Sequence, residues 1–177
     1  MFLTPSSFQN GFYKIGSNCF SEDDLQDYID RFEKSYLIDL LGCELYNLFV
    51  SDLDGSTPPV PLAQRFIDIY DPICIDDTSV CNKTLKSDGI IEMLKGFVYF
   101  HYVRDFKFKP TVTGVVINTN EVSREADAFE ISNGVAERWN EAVKSYSSIR
   151  DYIIIKRSVY PEFNGVKIGY LYFGGAI

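Results

Sequence analysis

The sequence predicts a mainly α-helical bundle with an extended, β-prone arm between its last two long helices and a short β-like C-terminal tail. Three observations predict it. Ala128, Ile131, Val135, Trp139, Ala142, Tyr146, Ile149 and Ile153 recur at intervals of three and four, one apolar seam along a helix of about 39 Å. The segment SDGIIEMLKGFVYFHYVRDFKFK over 87–109 is apolar on nearly every side at its centre, as a helix buried on several faces must be. Between the two lies KFKPTVTGVVINTNEVSREA, residues 107–126, far longer than the about 2–8 residues that join two helices.

The chain has 177 residues and 46% hydrophobic content, enough for one domain with a sizeable core. Residues 1–20 read as irregular, with turn residues Pro5, Asn10, Gly11 and Gly16. Ser21 suits an N-cap, and Glu22, Asp23 and Asp24 suit the positive end of the helix that follows. Leu25, Tyr28, Ile29 and Phe32 keep helical spacing, and Gly42 breaks or kinks the run. A second helix is expected over 43–53 with Leu45, Leu48 and Phe49 inward. DGSTPPVP at 54–61 is a loop. Leu62, Phe66, Ile69 and Tyr70 predict a short helix ending before Pro72. Residues 71–86 read as another loop, and Ser87 as the cap of the long apolar helix. Helices therefore fill 21–109, the arm 110–120, the last helix 121–155, and 156–177 a β-like tail around Asn164-Gly165. The expected core holds Leu25, Phe32, Leu41, Leu45, Leu94, Phe97, Trp139, Ala142 and Tyr146.

Net charge is −8, unevenly spread: −9 over residues 1–100 and +1 over the rest. The acidic first half argues against non-specific phosphate binding, which needs a basic footprint, and suits a surface past which DNA slides without sticking. Arg104, Lys107 and Lys109 are a thin basic run that a helix C-terminus explains electrostatically, or that docks on an acidic protein surface. The 14 Phe and 12 Tyr serve either the core or surfaces that meet other chains.

Catalytic signatures are missing. His101 is the sole histidine and lies within FVYFHYV, which reads as a core or interface position. Cys19, Cys43, Cys74 and Cys81 form no CxxC pair, so neither a zinc site nor a disulfide framework is expected. Asp52, Asp54 and Gly55 hint at a calcium loop, but prolines follow and no glutamate closes the template. Glu121 and Glu125 fit first-turn acids, and Ser123 lacks a histidine partner. No phosphate-binding glycine loop occurs. The expectation is a protein that is no enzyme and needs no cofactor or metal. The N-terminus lacks signal-peptide organisation, and no apolar run reaches the roughly 20 residues of a membrane span, so synthesis in the cytoplasm without membrane association is expected.

FEKSYLIDLLGCELYNLF (32–49), DGIIEMLKGFVYFHYVRD (88–105), TVTGVVINTNEVSREA (111–126) and VAERWNEAVKSYSSIRDYI (135–153) together resemble the head-to-tail connector proteins of tailed bacteriophages. The likeness is to the adaptor, or ring, proteins of phages infecting Bacteroidetes, including the crAss-like group. It covers about half the chain and contains no catalytic motif. The resemblance implies a virion protein of the neck, made in the bacterial cytoplasm and assembled as a homo-oligomeric ring, commonly of twelve copies. Such a ring sits below the portal protein, prolongs the channel for genomic DNA without sequence-specific binding, and offers a platform to the next tail or ring component. A head-completion or tail-terminator protein at another level of the neck uses the same physics, and a non-viral helical interaction module shares the composition. The arm supplies the expected interface with a neighbouring subunit or the portal: Lys107 and Lys109 for charge, and Thr111, Val112, Thr113, Gly114, Val115, Val116 and Ile117 as its β-prone body, the alternative being an intramolecular hairpin that closes near Gly114 and folds on its own bundle.

Overall fold

The computed structural model describes residues 1–16, 21–77, 83–111, 114–117 and 128–171. The fold is mainly α-helical. Five helices, α1 (Glu22–Leu41), α2 (Cys43–Ser51), α3 (Gln64–Tyr70), α4 (Gly89–Lys107) and α5 (Ala128–Ile155), are joined by two antiparallel strand pairs. β1 (Ile73–Asp77) pairs with β2 (Lys83–Ser87), and β3 (Phe108–Thr111) pairs with β4 (Gly114–Ile117).

Helix α4 is the centre of the bundle. It packs on α5, α1 and α3, which is why its sequence carries no polar face. Ile90, Met93, Leu94, Phe97, Val98, Phe100 and Tyr102 are all buried. α4 and α5 approach closely at Gly96, where an added Cβ would fall 2.6 Å from the Ala142 Cβ. Trp139 of α5 then lies edge-on to Phe97 at 5.0 Å and against Phe100 at 4.7 Å between ring centroids. From Trp139 to Ile153 the apolar seam of α5 is buried, as its spacing requires, and Val135 is half-buried. The side chains of Ala128 and Ile131, and residues 121–127 where the helix was expected to begin, lie outside the described residues.

α1 starts as its sequence dictates. Ser21 Oγ accepts the Asp24 N–H, and Glu22, Asp23 and Asp24 occupy the first turn. Leu25, Ile29, Leu37, Leu40 and Leu41 form its inner face, while Phe32 is only half-buried. The helix ends at Gly42 with φ 79°, a conformation that disfavours any side chain. Of the residues expected inward on α2, Leu45 and Phe49 are buried, but Leu48 is exposed. Leu62 is also exposed and precedes α3: the Asp52 carboxylate accepts the Leu62 and Ala63 N–H groups and ends the loop there.

Two expectations need correction. Residues 71–86 are not simply a loop, since β1 and β2 form a hairpin in which Ile73 and Leu85 point inward and β2 packs on α5. The tail is not β-like over its described length, because 163–171 joins no strand ladder. It runs as an extended strap across α1 and α5. Asn164 N–H donates to Leu41 O and Val166 N–H to Asp39 O, so the strap satisfies carbonyls that the end of α1 leaves free. Tyr146 Oη donates to Val166 O, and Trp139 Nε1 to Gly169 O. Asn140 grips the Leu171 backbone twice: its amide donates to Leu171 O at 2.9 Å and its oxygen accepts the Leu171 N–H at 2.8 Å. Gly165 permits the close approach, since a Cβ there would collide with the Leu40 carbonyl.

The first sixteen residues are irregular apart from one 3-10 turn at Pro5–Phe8, yet they are anchored. Phe2, Leu3, Phe8, Tyr13 and Ile15 are buried, and the buried Glu33 carboxylate accepts the N–H groups of Phe2 and Leu3.

Trp139→Ala removes the ring shared by α4, α5 and the strap and should cost about 3–5 kcal/mol, read as a lower denaturant midpoint with an unchanged slope. Gly165→Ala should leave helicity intact while the strap lifts off, read as a red shift of Trp139 emission; an unchanged spectrum would place the strap elsewhere.

Candidate assembly surface

Helix α4 runs without a linker into β3, so the hairpin is carried directly by the central helix. Lys107 is the last residue of α4. Lys109 and Thr111 lie on β3, and Gly114, Val115, Val116 and Ile117 on β4. Val112 and Thr113 connect the strands and lie outside the described residues. The register pairs Phe108 with Ile117, Lys109 with Val116, Pro110 with Val115 and Thr111 with Gly114. The expected arm is therefore a hairpin closed within the chain over these residues, not a single extended strand. Among the described elements, the two strands contact chiefly each other, and β3 contacts α4 at the hairpin's root.

The register has a consequence for the hairpin's two outer edges. A two-residue connection closes on a hydrogen-bonded pair, here Thr111 and Gly114, and hydrogen-bonded and non-hydrogen-bonded pairs then alternate. Pro110 and Val115 fall at a non-hydrogen-bonded pair, so their backbone groups face outward. Pro110 has no N–H and blunts the outer edge of β3. β4 carries no proline, and among the described residues no third strand pairs with its outer edge at Val115 and Ile117.

The polar groups elsewhere are engaged in holding the fold. His101 stacks on Phe32 with centroids 3.8 Å apart and planes 4° apart, and its Nε2 lies 2.7 Å from Tyr36 Oη. Burial, then the nearby Arg104 charge, pushes its pKa down to about 4, although Asp105 opposes this. Tyr36 is pushed up to about 12, chiefly by burial. The ring is thus a neutral aromatic plate. Asp54 Oδ1 accepts from Ser56 and from the Val60 N–H, and these bonds hold its carboxyl below the usual range. With Asp52 accepting the Leu62 and Ala63 N–H groups just ahead of α3, the pair that hinted at a calcium loop orders the loop itself. Among the described residues no group of three His, Cys, Asp or Glu side chains is placed to hold a metal. Cys43 and Cys74 are free and exposed. Glu121, Ser123 and Glu125 lie outside the described residues. Among the described residues no helix is long and apolar enough to cross a membrane.

No family model, no curated protein and no solved structure matches this chain. Its function must therefore be argued from its surfaces. Sequence reasoning found the β-prone segment but favoured an extended arm over the hairpin, and it missed the strap groove. Trp139 was legible as seam, whereas Asn140 is an ordinary polar residue beside it, and only the fold shows that its amide faces a backbone.

The His101 environment predicts a pH dependence. Folding favours the neutral ring, so the unfolded chain takes up its proton first. Stability is intact above pH 6.5 and falls as pH drops toward 4. The full shift corresponds to about 3 kcal/mol, which partial solvent access reduces to about 1–2 kcal/mol. Glu33, raised by burial, acts in the opposite sense, so its contribution rises as pH falls and partly offsets the loss from His101. Denaturant titrations at stepped pH should show this loss in the native chain and a flatter profile in His101→Phe.

Proposed function

We propose that the chain is a structural subunit of a phage neck, assembling as a ring below the portal, prolonging the DNA channel and receiving the next tail component. The observation that carries the proposal is the β3–β4 hairpin: β-prone, rooted on the central helix and, among the described residues, joined by no third strand. A two-stranded ribbon is marginal alone, and a third strand from a neighbour completes it through backbone hydrogen bonds. Lys107 and Lys109 place positive charge at its root in a chain of net charge −8, which favours docking on an acidic surface of another copy or of the portal. The acidic first hundred residues suit a channel wall that DNA passes without binding.

Helix α4 contributes less to this reading than its sequence promised. Its apolar faces are spent inside its own bundle, so the case for assembly rests on the hairpin. The proposal includes no catalysis and no cofactor. Portal and ring partners, and a place in the virion neck, come from the resemblance to connector proteins.

Replacing residues 111–118 by a short Gly/Ser linker tests the role of the hairpin. Far-UV circular dichroism and thermal midpoint should stay near those of the native chain, while incorporation into particles fails. Normal incorporation would refute an assembly role, and loss of the fold would make the hairpin an internal support. A cryo-EM map of assembled particles would separate a ring below the portal from a head-completion or tail-terminator position.

A further inference from the structure

The strap, residues 160–171, is bound as a foreign peptide would be. The polar anchors of residues 163–171 read main chain, through Leu41 O and Asp39 O on α1 and the side chains of Tyr146, Trp139 and Asn140 on α5, while nearer the hinge Tyr160 Oη donates to Arg65 O and Glu162 pairs with Arg65 of α3. Its apolar anchors are few, with Tyr160 and Phe163 buried and Ile168 and Leu171 packed at the core's edge. Val166 and Tyr170 face outward and are exposed. None of these contacts depends on which chain supplies the strap.

The segment that joins strap to bundle has the opposite character. Residues 154–159 are exposed without a break. Three of them are large and apolar: Ile154 at 41%, Ile155 at 46% and Val159 at 43%. They are held by turn bonds, Lys156 N–H to Tyr152 O and Val159 N–H to Lys156 O among them, and by the Arg65 guanidinium of α3, which donates to Val159 O. Drawn out, six residues reach about 20 Å. Straightening the turn gives up little packing, and an apolar turn left in water gains from being covered.

We propose that the strap is exchanged between copies: residues 160–171 of one chain occupy the α1–α5 groove of a second copy, with 154–159 as the hinge. Each groove keeps the contacts it has within one chain, so association is opposed only by lost translational freedom and by the hinge. The straightened hinges bring Ile154, Ile155 and Val159 of the two copies together in a new apolar contact. This accounts for an exposed apolar cluster that the single chain leaves unexplained. Reciprocal exchange gives a pair, and head-to-tail exchange gives a ring where the rotation closes. The proposal does not rest on the neck assignment, because it uses a different surface from the β3–β4 hairpin.

The test mixes equal amounts of isotope-labelled and unlabelled 177-residue chain, unfolds them together and refolds them at rising concentration. Light scattering should show a multimer fraction that grows with concentration. Isotope-filtered spectra of that fraction should show contacts between the Trp139 indole N–H of one chain and Gly169–Leu171 of another. A monomer at every concentration overturns the proposal, as do multimers whose Trp139 contacts stay within one chain. Deleting Arg157 and Ser158 shortens the hinge so that the strap no longer folds back. The population should then shift from monomer to multimer with native helicity and native Trp139 emission. A folded monomer would overturn the proposal, and if the deletion prevents folding, the mixed-label experiment on the native chain decides. Particle incorporation by chains lacking residues 111–118 is read separately, so failure of the neck reading leaves strap exchange standing or falling on its own result.

Discussion

The contact between Gly96 and Ala142 sets the geometry of the molecule. Two helices approach this closely only where neither carries bulk, and at Gly96 there is no room even for a methyl group. Having brought α4 against α5, the contact fixes what must surround it. The large rings that flank it, Phe97, Phe100 and Trp139, fill the space above and below the crossing. Tyr36 and His101 then extend the aromatic layer toward α1: Tyr36 stacks on Phe97 at 4.1 Å and His101 on Phe32. A polar imidazole is tolerated there because Tyr36 supplies a hydrogen-bonding partner for one nitrogen and the ring stays uncharged.

The same constraint explains why the segments without regular structure are well anchored. A central α4 packed on α5, α1 and α3 leaves shallow grooves between the outer helices. The N-terminal segment fills one of them with Phe2, Leu3 and Phe8, fastened by Glu33. The strap fills another, fastened by α1 carbonyls and by Asn140. In both cases a side chain of a rigid helix meets the main chain of an irregular segment, so order is supplied by the bundle and not by local propensity.

The mainly α-helical fold was legible because 3.6-residue periodicity is a long-range signal: the α5 seam repeats often enough that no other structure satisfies it. The β1–β2 hairpin was not, since five-residue strands carrying Asp, Lys, Thr and Ser look like a loop, and only Ile73 and Leu85 report the buried face. The tail misled for a chemical reason. Asn164-Gly165 has the composition of a tight turn between strands, but here glycine serves close approach to the Leu40 carbonyl, which no local pattern distinguishes from a turn. Leu48 was expected inward and Leu62 was counted into the spacing of α3, but both are exposed and Leu62 lies ahead of the helix. The hairpin site was legible as excess length and β-branched composition, whereas its register, and with it the difference between the two edges, needed the fold.

Main-chain recognition is common to the hairpin edge and the strap groove, and it bears on what such a protein can become. Contacts made through N–H and C=O groups tolerate wide side-chain variation, so the sequence of the recognised segment is only weakly constrained, while the recognising residues and the glycines that permit close approach are not. A chain that binds neighbours this way needs no large apolar patch on its surface. Its exposed face can then stay acidic, as the −9 charge of the first hundred residues requires, without weakening assembly. The division of labour follows from the bundle: α4 and α5 provide rigidity at the Gly96–Ala142 crossing, and the extended segments, β3–β4 from α4 and the strap from α5, leave their C-terminal ends.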